Sequence, residues 1–286
     1  MNMKRLIALA LALVLSLALA ACGSSAAPSP SASAPAESAP AESASAESDL
    51  DYVKGKGALV IGYTVNAPMN YTDDNGEFTG FDTELAKAVC ERLGVEPQFQ
   101  EIVWETKEIE LAGKTIDCIW NGMTLDPERE ANMACTVPYV KNAQVVVMKA
   151  DADYADTSSL IGKSVCAEVG SAGETQILGN EETKPDANLA QADYVGKSVQ
   201  TDCLMEVAAG TCDAAVLDMT LANAMIGEGT DYAGLKIVDE LAVENYGVAF
   251  RQGSDVRDAV NEIFAEMVAD GSLGALADKY GLELAY

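Results

Sequence analysis

Gly80-Phe81-Asp82-Thr83-Glu84-Leu85, continuing through Val89, Cys90 and Leu93 to Gly94, is the stretch whose reading decides the fold. Phe81, Leu85, Ala88, Val89 and Leu93 recur at helical spacing, so one face of the segment is apolar and predicts a helix packed on a core. Asp82 is placed to cap that helix, and Gly94 stops it. Just upstream, Tyr71-Thr72-Asp73-Asp74-Asn75-Gly76 followed by Glu77-Phe78-Thr79 reads as a hairpin with Asn75-Gly76 as its turn pair. Those acids do not make a calcium loop, because the first ligand position falls on Tyr71. Upstream again, Gly57-Ala58-Leu59-Val60-Ile61-Gly62 is a short apolar run between glycines and predicts a buried strand.

Downstream, a strand over 97–103, a polar helix ending at Leu111 and a strand over 116–120 continue a β-α-β-α-β alternation. It resumes after Asp151 with strands over 164–168, 194–199 and 214–217, and with helices from Glu174 and over 202–209. Such alternation predicts two α/β lobes. Between them, 140–148 is long, extended and rich in valine, and 245–250 is a second extended run that returns the chain to the first lobe. Two antiparallel crossings between lobes make a hinge. The expected division is 51–142 with 245–286 for the first lobe and 143–244 for the second, hinged near 140–147 and 242–248. Val256, Val260, Ile263, Phe264 and Met267 predict a closing amphipathic helix that ends at Gly271.

The N-terminus has a different character. Lys4 and Arg5 precede an unbroken apolar run over 6–20, shorter than a membrane-spanning helix requires. It ends in Leu19-Ala20-Ala21-Cys22, which resembles a bacterial lipoprotein signal, with residues 1–21 removed and Cys22 acylated to anchor the chain to a membrane. Residues 22–50 are then expected to be a disordered tether of Ser, Ala, Pro and Glu, with the pentamers 34–38, 39–43 and 44–48 repeating. About 27 such residues reach on the order of 30 Å as a coil and about 80 Å when extended. Loss of Lys4 and Arg5 moves the net charge from −27 to −29. So acidic a surface argues against nucleic acid as a partner.

The absence of histidine excludes Ser-His-Asp and Cys-His centres and histidine-based zinc sites. The cysteines after Cys22 form no Cys-x-x-Cys pair, so no zinc ribbon, thioredoxin-type centre or other cofactor is expected; their apolar surroundings favour buried free thiols, with disulfides the alternative that export permits. Gly162-Lys163-Ser164 and Gly196-Lys197-Ser198 end like phosphate loops, but Thr157 and Gln191 stand where the earlier glycine is required.

The segment from Gly80 to Leu93 resembles the signature of family 3 extracellular solute-binding proteins, which serve polar amino-acid ABC transporters. The likeness runs from about residue 52 to 286. It implies a two-lobed periplasmic-binding-protein fold of type II, and a cleft that closes on one small amino acid. Asn121-Gly122-Met123-Thr124 with Arg129 resembles the family's loop-and-arginine segment. There the guanidinium grips the ligand carboxylate, and Gly122 and Thr124 offer backbone and hydroxyl groups. A guanidinium fork suits this task because it makes two parallel charge-assisted bonds. The loop Gly170-Ser171-Ala172-Gly173-Glu174 would present amides to the same carboxylate. Ala172 replaces a hydroxyl residue common in the family, so the side-chain contact falls to Ser171.

Asp218 resembles the acid that pairs with the ligand ammonium, and Trp104 the platform under its side chain, with Tyr71 as a further wall. Glu168 falls where glutamine-binding relatives carry lysine and histidine-binding relatives an apolar residue, which favours a polar or basic ligand over an acidic one. The implied partners are a small amino acid, an ABC permease and, through the lipid anchor, a membrane; the protein is expected to be a monomer. Two other readings share the fold: a cyclohexadienyl-dehydratase-like enzyme, and a sensor reporting its ligand to a membrane receptor.

Overall fold

The computed structural model describes residues 48–286; the signal segment, Cys22 and the tether up to residue 47 lie outside the described residues. Order begins earlier than composition suggests. Helix α1 (Asp49–Lys56) is capped by the Ser48 hydroxyl, which accepts from the Asp51 amide, so Ser48 and Leu50 belong to a folded element rather than to the tether.

The first lobe places strand β1 (Ala58–Tyr63) in a sheet. A two-residue hairpin, β2 (Tyr71–Thr72) and β3 (Phe78–Thr79), follows and leads into helix α2 (Phe81–Leu93). Asp82 does not cap α2. Gly80 holds the cap position at φ +124°, where an added Cβ would lie 2.2 Å from the Met69 carbonyl oxygen. Asp82 sits inside the first turn, where its buried carboxylate accepts from the Gly122 amide at 2.6 Å and the Tyr139 hydroxyl at 2.8 Å. Strand β4 (Glu96–Glu101), helix α3 (Lys107–Ala112), strand β5 (Cys118–Thr124), helix α4 (Pro127–Asn132) and strand β6 (Ala134–Cys135) follow. Strand β1 runs parallel between β4 and β5.

Strand β7 (Val140–Lys149) carries the chain across. The second lobe adds β8 (Ser164–Glu168), α5 (Ala172–Leu178), β9 (Asp193–Lys197), α6 (Gln200–Ala209), β10 (Ala214–Asp218) and α7 (Met219–Met225). Strand β11 (Leu235–Phe250) returns, and α8 (Val256–Ala269) and α9 (Ser272–Tyr280) close the chain. Helix α9 extends past the expected stop: Gly271, at φ +80°, starts a second helix whose Leu273 and Ala277 are buried.

The strand order is β4-β1-β5-β11-β7-β10-β8-β9, with β6 beside β11. Strand β11 is shared. Its N-terminal part pairs antiparallel with β7, from Leu235 opposite Lys149 to Tyr246 opposite Val140, and its C-terminal part pairs with β5. The valine run of β7 is explained by burial on both faces. Val145 and Val147 join a core with Cys166, Leu204 and Leu217, whereas Val146 packs with Val165 and Val216. A separate core in the first lobe gathers Leu59, Phe81, Trp120, Tyr139 and Phe264.

The six cysteines among the described residues are free thiols, five of them buried. Burial pushes Cys90 and Cys212 up to about 12 and Cys135 to about 11, so these thiols are poor nucleophiles.

Candidate ligand-binding site

The carboxyl ends of β5, β8 and β10 converge with α5 on a narrow cavity. Trp104, Asn121, Gly122, Thr124, Arg129, Glu168, Ser171, Ala172 and Asp218 all line it. Tyr71 does not. It stands half-buried on β2, opposite Thr79 in the separate two-stranded sheet, and is not among the lining residues. Asn66 and Gln200 line the cavity and were not singled out from the sequence.

Arg129 is fixed by the short helix it belongs to. Pro127 starts α4, and the Asp126 carboxylate caps it by accepting from the Arg129 amide at 2.8 Å. The guanidinium, only 6% exposed, pairs through Nε with Asp126 at 3.2 Å. Nη1 donates to the Thr124 carbonyl at 2.8 Å and Nη2 to the Gly170 carbonyl at 3.1 Å. Nη1 and Nη2 each use one N–H in these bonds and Nε is held by the Asp126 charge, which leaves the second hydrogens of Nη1 and Nη2 for an anion.

Three expected contacts are committed elsewhere, the first being the Thr124 hydroxyl, which donates to Glu244 at 2.9 Å. The Gly122 amide is taken by Asp82, so this residue contributes space rather than a donor. At φ +57° an added Cβ would lie 3.1 Å from the Tyr246 ring. The Asn121 side chain is saturated: its oxygen accepts from the Thr64 amide and hydroxyl, and its nitrogen donates to the Thr64 carbonyl and to Asn70. It braces β1 against β5.

Trp104 is 5% exposed and packs against Ile102, Leu111 and Ile116. One side of its ring already holds a cation, because Lys107 Nζ lies 4.8 Å from the centroid. Lys107 is itself buried, and burial together with the Arg129 charge pulls it down to about 8. Its ammonium donates to the Gly170 carbonyl at 3.1 Å. One carbonyl at the mouth of α5 therefore receives two cations from the opposite side of the cleft. Ser171 caps α5, its hydroxyl accepting from the Glu174 amide at 3.1 Å, while its own amide donates to the Glu168 carbonyl. Gly173 allows α5 to approach β10, since a Cβ there would lie 2.6 Å from the Val216 carbonyl oxygen.

The electrostatics are set by three acids. Asp218 stands at the end of β10, where α7 begins, but makes no side-chain cap bond. It accepts from Gln144 at 2.5 Å, Gln200 at 2.6 Å and Asn142 at 3.1 Å, and its burial raises its pKa. Burial, with the charge of Asp218, pushes Glu168 up to about 8; the residue is 3% exposed and its Oε1 has no hydrogen-bond partner. Glu244, on β11, accepts from Thr124 at 2.9 Å, Asn142 at 2.6 Å and Gln144 at 2.8 Å, and burial and Asp218 push it up to about 7. Sequence reasoning missed Glu244 because it lies just outside the run Asn245–Phe250 that marks the crossing. Among the described residues, none of the three acids forms a salt bridge with a lysine or arginine, and no group of three or more metal-ligating side chains is present.

Bacterial extracellular solute-binding proteins of family 3 match residues 59–283, which span both lobes and every residue of the cavity. The chain belongs to this family. Among its relatives, the arginine-binding extracellular protein ArtP of Bacillus subtilis is 28% identical over 228 residues, covering 79% of this chain and 87% of ArtP. Among solved structures, a mutant of ArgBP from T. maritima gives a TM-score of 0.73 at 30% identity, covering 81% of this chain and 98% of that one. An ancestral amino acid-binding protein, AncCDT-1, described as a precursor of cyclohexadienyl dehydratase, gives 0.71 at 28% identity, covering 82% and 99%. This solute-binding protein shares their two-lobed architecture. Among its described residues no helix is long and apolar enough to cross a membrane.

Proposed function

We propose that the protein is the extracytoplasmic substrate-binding component of an amino-acid ABC transporter, capturing a polar or basic amino acid between two closing lobes and delivering it to the permease. The observation that carries the reading is the charge balance of the cavity. Arg129, with donors to spare, and Lys107 are both turned to the Gly170 carbonyl, while the acids Asp218 and Glu168 that line the cavity and Glu244 beside them form no salt bridge among the described residues. An amino acid with a positive or amide-bearing side chain supplies what is missing: a carboxylate for Arg129, an ammonium for Asp218 and a donor for Glu168. Trp104, which lines the cavity, covers the stem. Similarity to an arginine-binding protein supports the same preference. Residues 51–142 with 245–286 form one closing body and 143–244 the other, with Cys22 anchoring the chain to the outer face of the membrane.

Calorimetry on the purified protein tests the reading. Arginine, lysine, histidine, glutamine or cystine is expected to bind in the micromolar range or tighter, and glutamate and aspartate not to bind. Tight glutamate binding with none for the others would refute it. Mass spectrometry of the membrane fraction checks the anchor, which fails if the mature N-terminus is anything but modified Cys22.

A dehydratase reading draws on Glu168, whose carboxyl is held protonated near neutrality and could act as an acid, and on the likeness to AncCDT-1. On the transport reading, a cyclohexadienyl acid incubated with the protein is recovered unchanged.

A further inference from the structure

Glu244 stands on β11 where that strand crosses between the lobes, and its carboxylate is joined to Asp218 by shared donors. Gln144 Nε2 donates to Glu244 Oε1 at 2.8 Å and to Asp218 Oδ1 at 2.5 Å. Asn142 Nδ2 donates to the same two oxygens, at 2.6 Å and 3.1 Å. The acid oxygens are therefore no further apart than the two Gln144 bonds laid end to end. Every donor that reaches the pair is neutral, since Thr124 serves Glu244 and Gln200 serves Asp218. Both hydrogens of the Gln144 amide are committed to the acids, and its own oxygen is left buried without a partner.

Other charged and titratable groups face the pair. Glu168 on β8 faces Asp218 as a further acid, held protonated near neutrality by burial and by the Asp218 charge. Tyr246 on β11 meets Thr220 through its hydroxyl at 2.9 Å. Across the cleft the cations Lys107 and Arg129 are turned to the Gly170 carbonyl, and Arg129 is further neutralised by Asp126. Two carboxylates this close, served only by neutral donors and with no adjacent cation, do not both ionise readily.

We propose that Asp218 and Glu244 form one ammonium subsite, which holds a single shared proton when no ligand is bound and releases it to solvent as the ligand ammonium arrives. The inference rests on the amino-acid reading above. The balance is simple: the ammonium enters with its three N–H donors, the proton leaves, and two carboxylates share one positive charge. Capture is then linked to pH. Below about 7, where burial and Asp218 set the titration of Glu244, affinity falls by up to about tenfold per pH unit; above it, affinity levels off.

The test is calorimetry with L-arginine at pH 6.5 in phosphate and in imidazole, whose ionisation enthalpies differ. The wild type is expected to release about three-quarters of a proton per ligand, and Glu244→Gln to lose that release and its pH dependence. Equal apparent enthalpies in both buffers for the wild type, or unchanged release in E244Q, overturn the proposal; in the second case the proton comes from Glu168. If no amino acid binds at any pH, the transport reading fails, and a ligand-free arm still reads the pair. In thermal unfolding between pH 5 and 8, the stability of the wild type relative to E244Q should fall as pH rises through about 7. A difference that does not vary with pH refutes the shared proton.

Discussion

Arg129 has two tasks, and they are separable by chemistry. One N–H each of Nη1 and Nη2 locks the α4 turn to Thr124 and to Gly170, and their second hydrogens are the proposed anion grip. Arg129→Lys keeps the charge but not the fork, and is expected to weaken amino-acid binding by about a hundredfold, or ~3 kcal/mol. Titration calorimetry reads the change, and an unaltered affinity would remove Arg129 from the proposed site. Asp82 carries a second prediction. Burial holds its folded pKa near 7, well above the unfolded value, although the bonds from Gly122 and Tyr139 pull it down. The folded state therefore favours the protonated acid, and the stability this confers is lost as pH rises from about 4 through 7. Asp82→Asn is expected to remove that slope, on the order of a few kcal/mol across the window, in thermal melts at several pH values. The sequence indicated where Asp82 sits but not its task. A carboxylate two residues past a glycine resembles a cap, and only the fold brings the Gly122 amide and Tyr139 to it.

At the scale of elements, α5 depends on its glycine. Gly173→Ala would drive a methyl group against the backbone oxygen of Val216, which cannot rotate away. The helix must shift, with an expected cost of about 1–3 kcal/mol in denaturant unfolding and a weaker grip from the Ser171 turn. Elements with strong periodicity, such as α2 and the doubly buried β7, were legible from residue spacing alone. Short ones were not. Helix α4 has six residues and α7 seven, too few for a repeat to show, and Gly271, Gly274 and Gly281 in and around α9 obscure Leu273, Leu276 and Ala277. Glu244 escaped notice for a related reason: on a strand paired across the junction, a charged residue reads as an outward-facing position.

Across the whole molecule, the Gly170 carbonyl is where two cations of one lobe meet the other. Lys107→Met keeps most of the apolar stem and removes one of the two donors, so the unliganded protein is expected to spend more time open. Small-angle scattering reads this as a larger radius of gyration without ligand and an unchanged one at saturation. An identical radius in both states would show that the Lys107 contact does not hold the lobes together. The architecture also says where an external pull is borne. The chain enters the folded body at Ser48, whose hydroxyl donates to Asp255 at 2.5 Å, while the Leu50 amide donates to the same carboxylate at 2.8 Å. Asp49 pairs with Arg251 at 2.9 Å, and Arg251 reaches on to Ile116 and Asp117. All of these anchors belong to the body that holds α2 and α8. A pull applied at Ser48 is thus borne by the body that holds α2 and α8, through Asp255 and Arg251, and is not passed along β7.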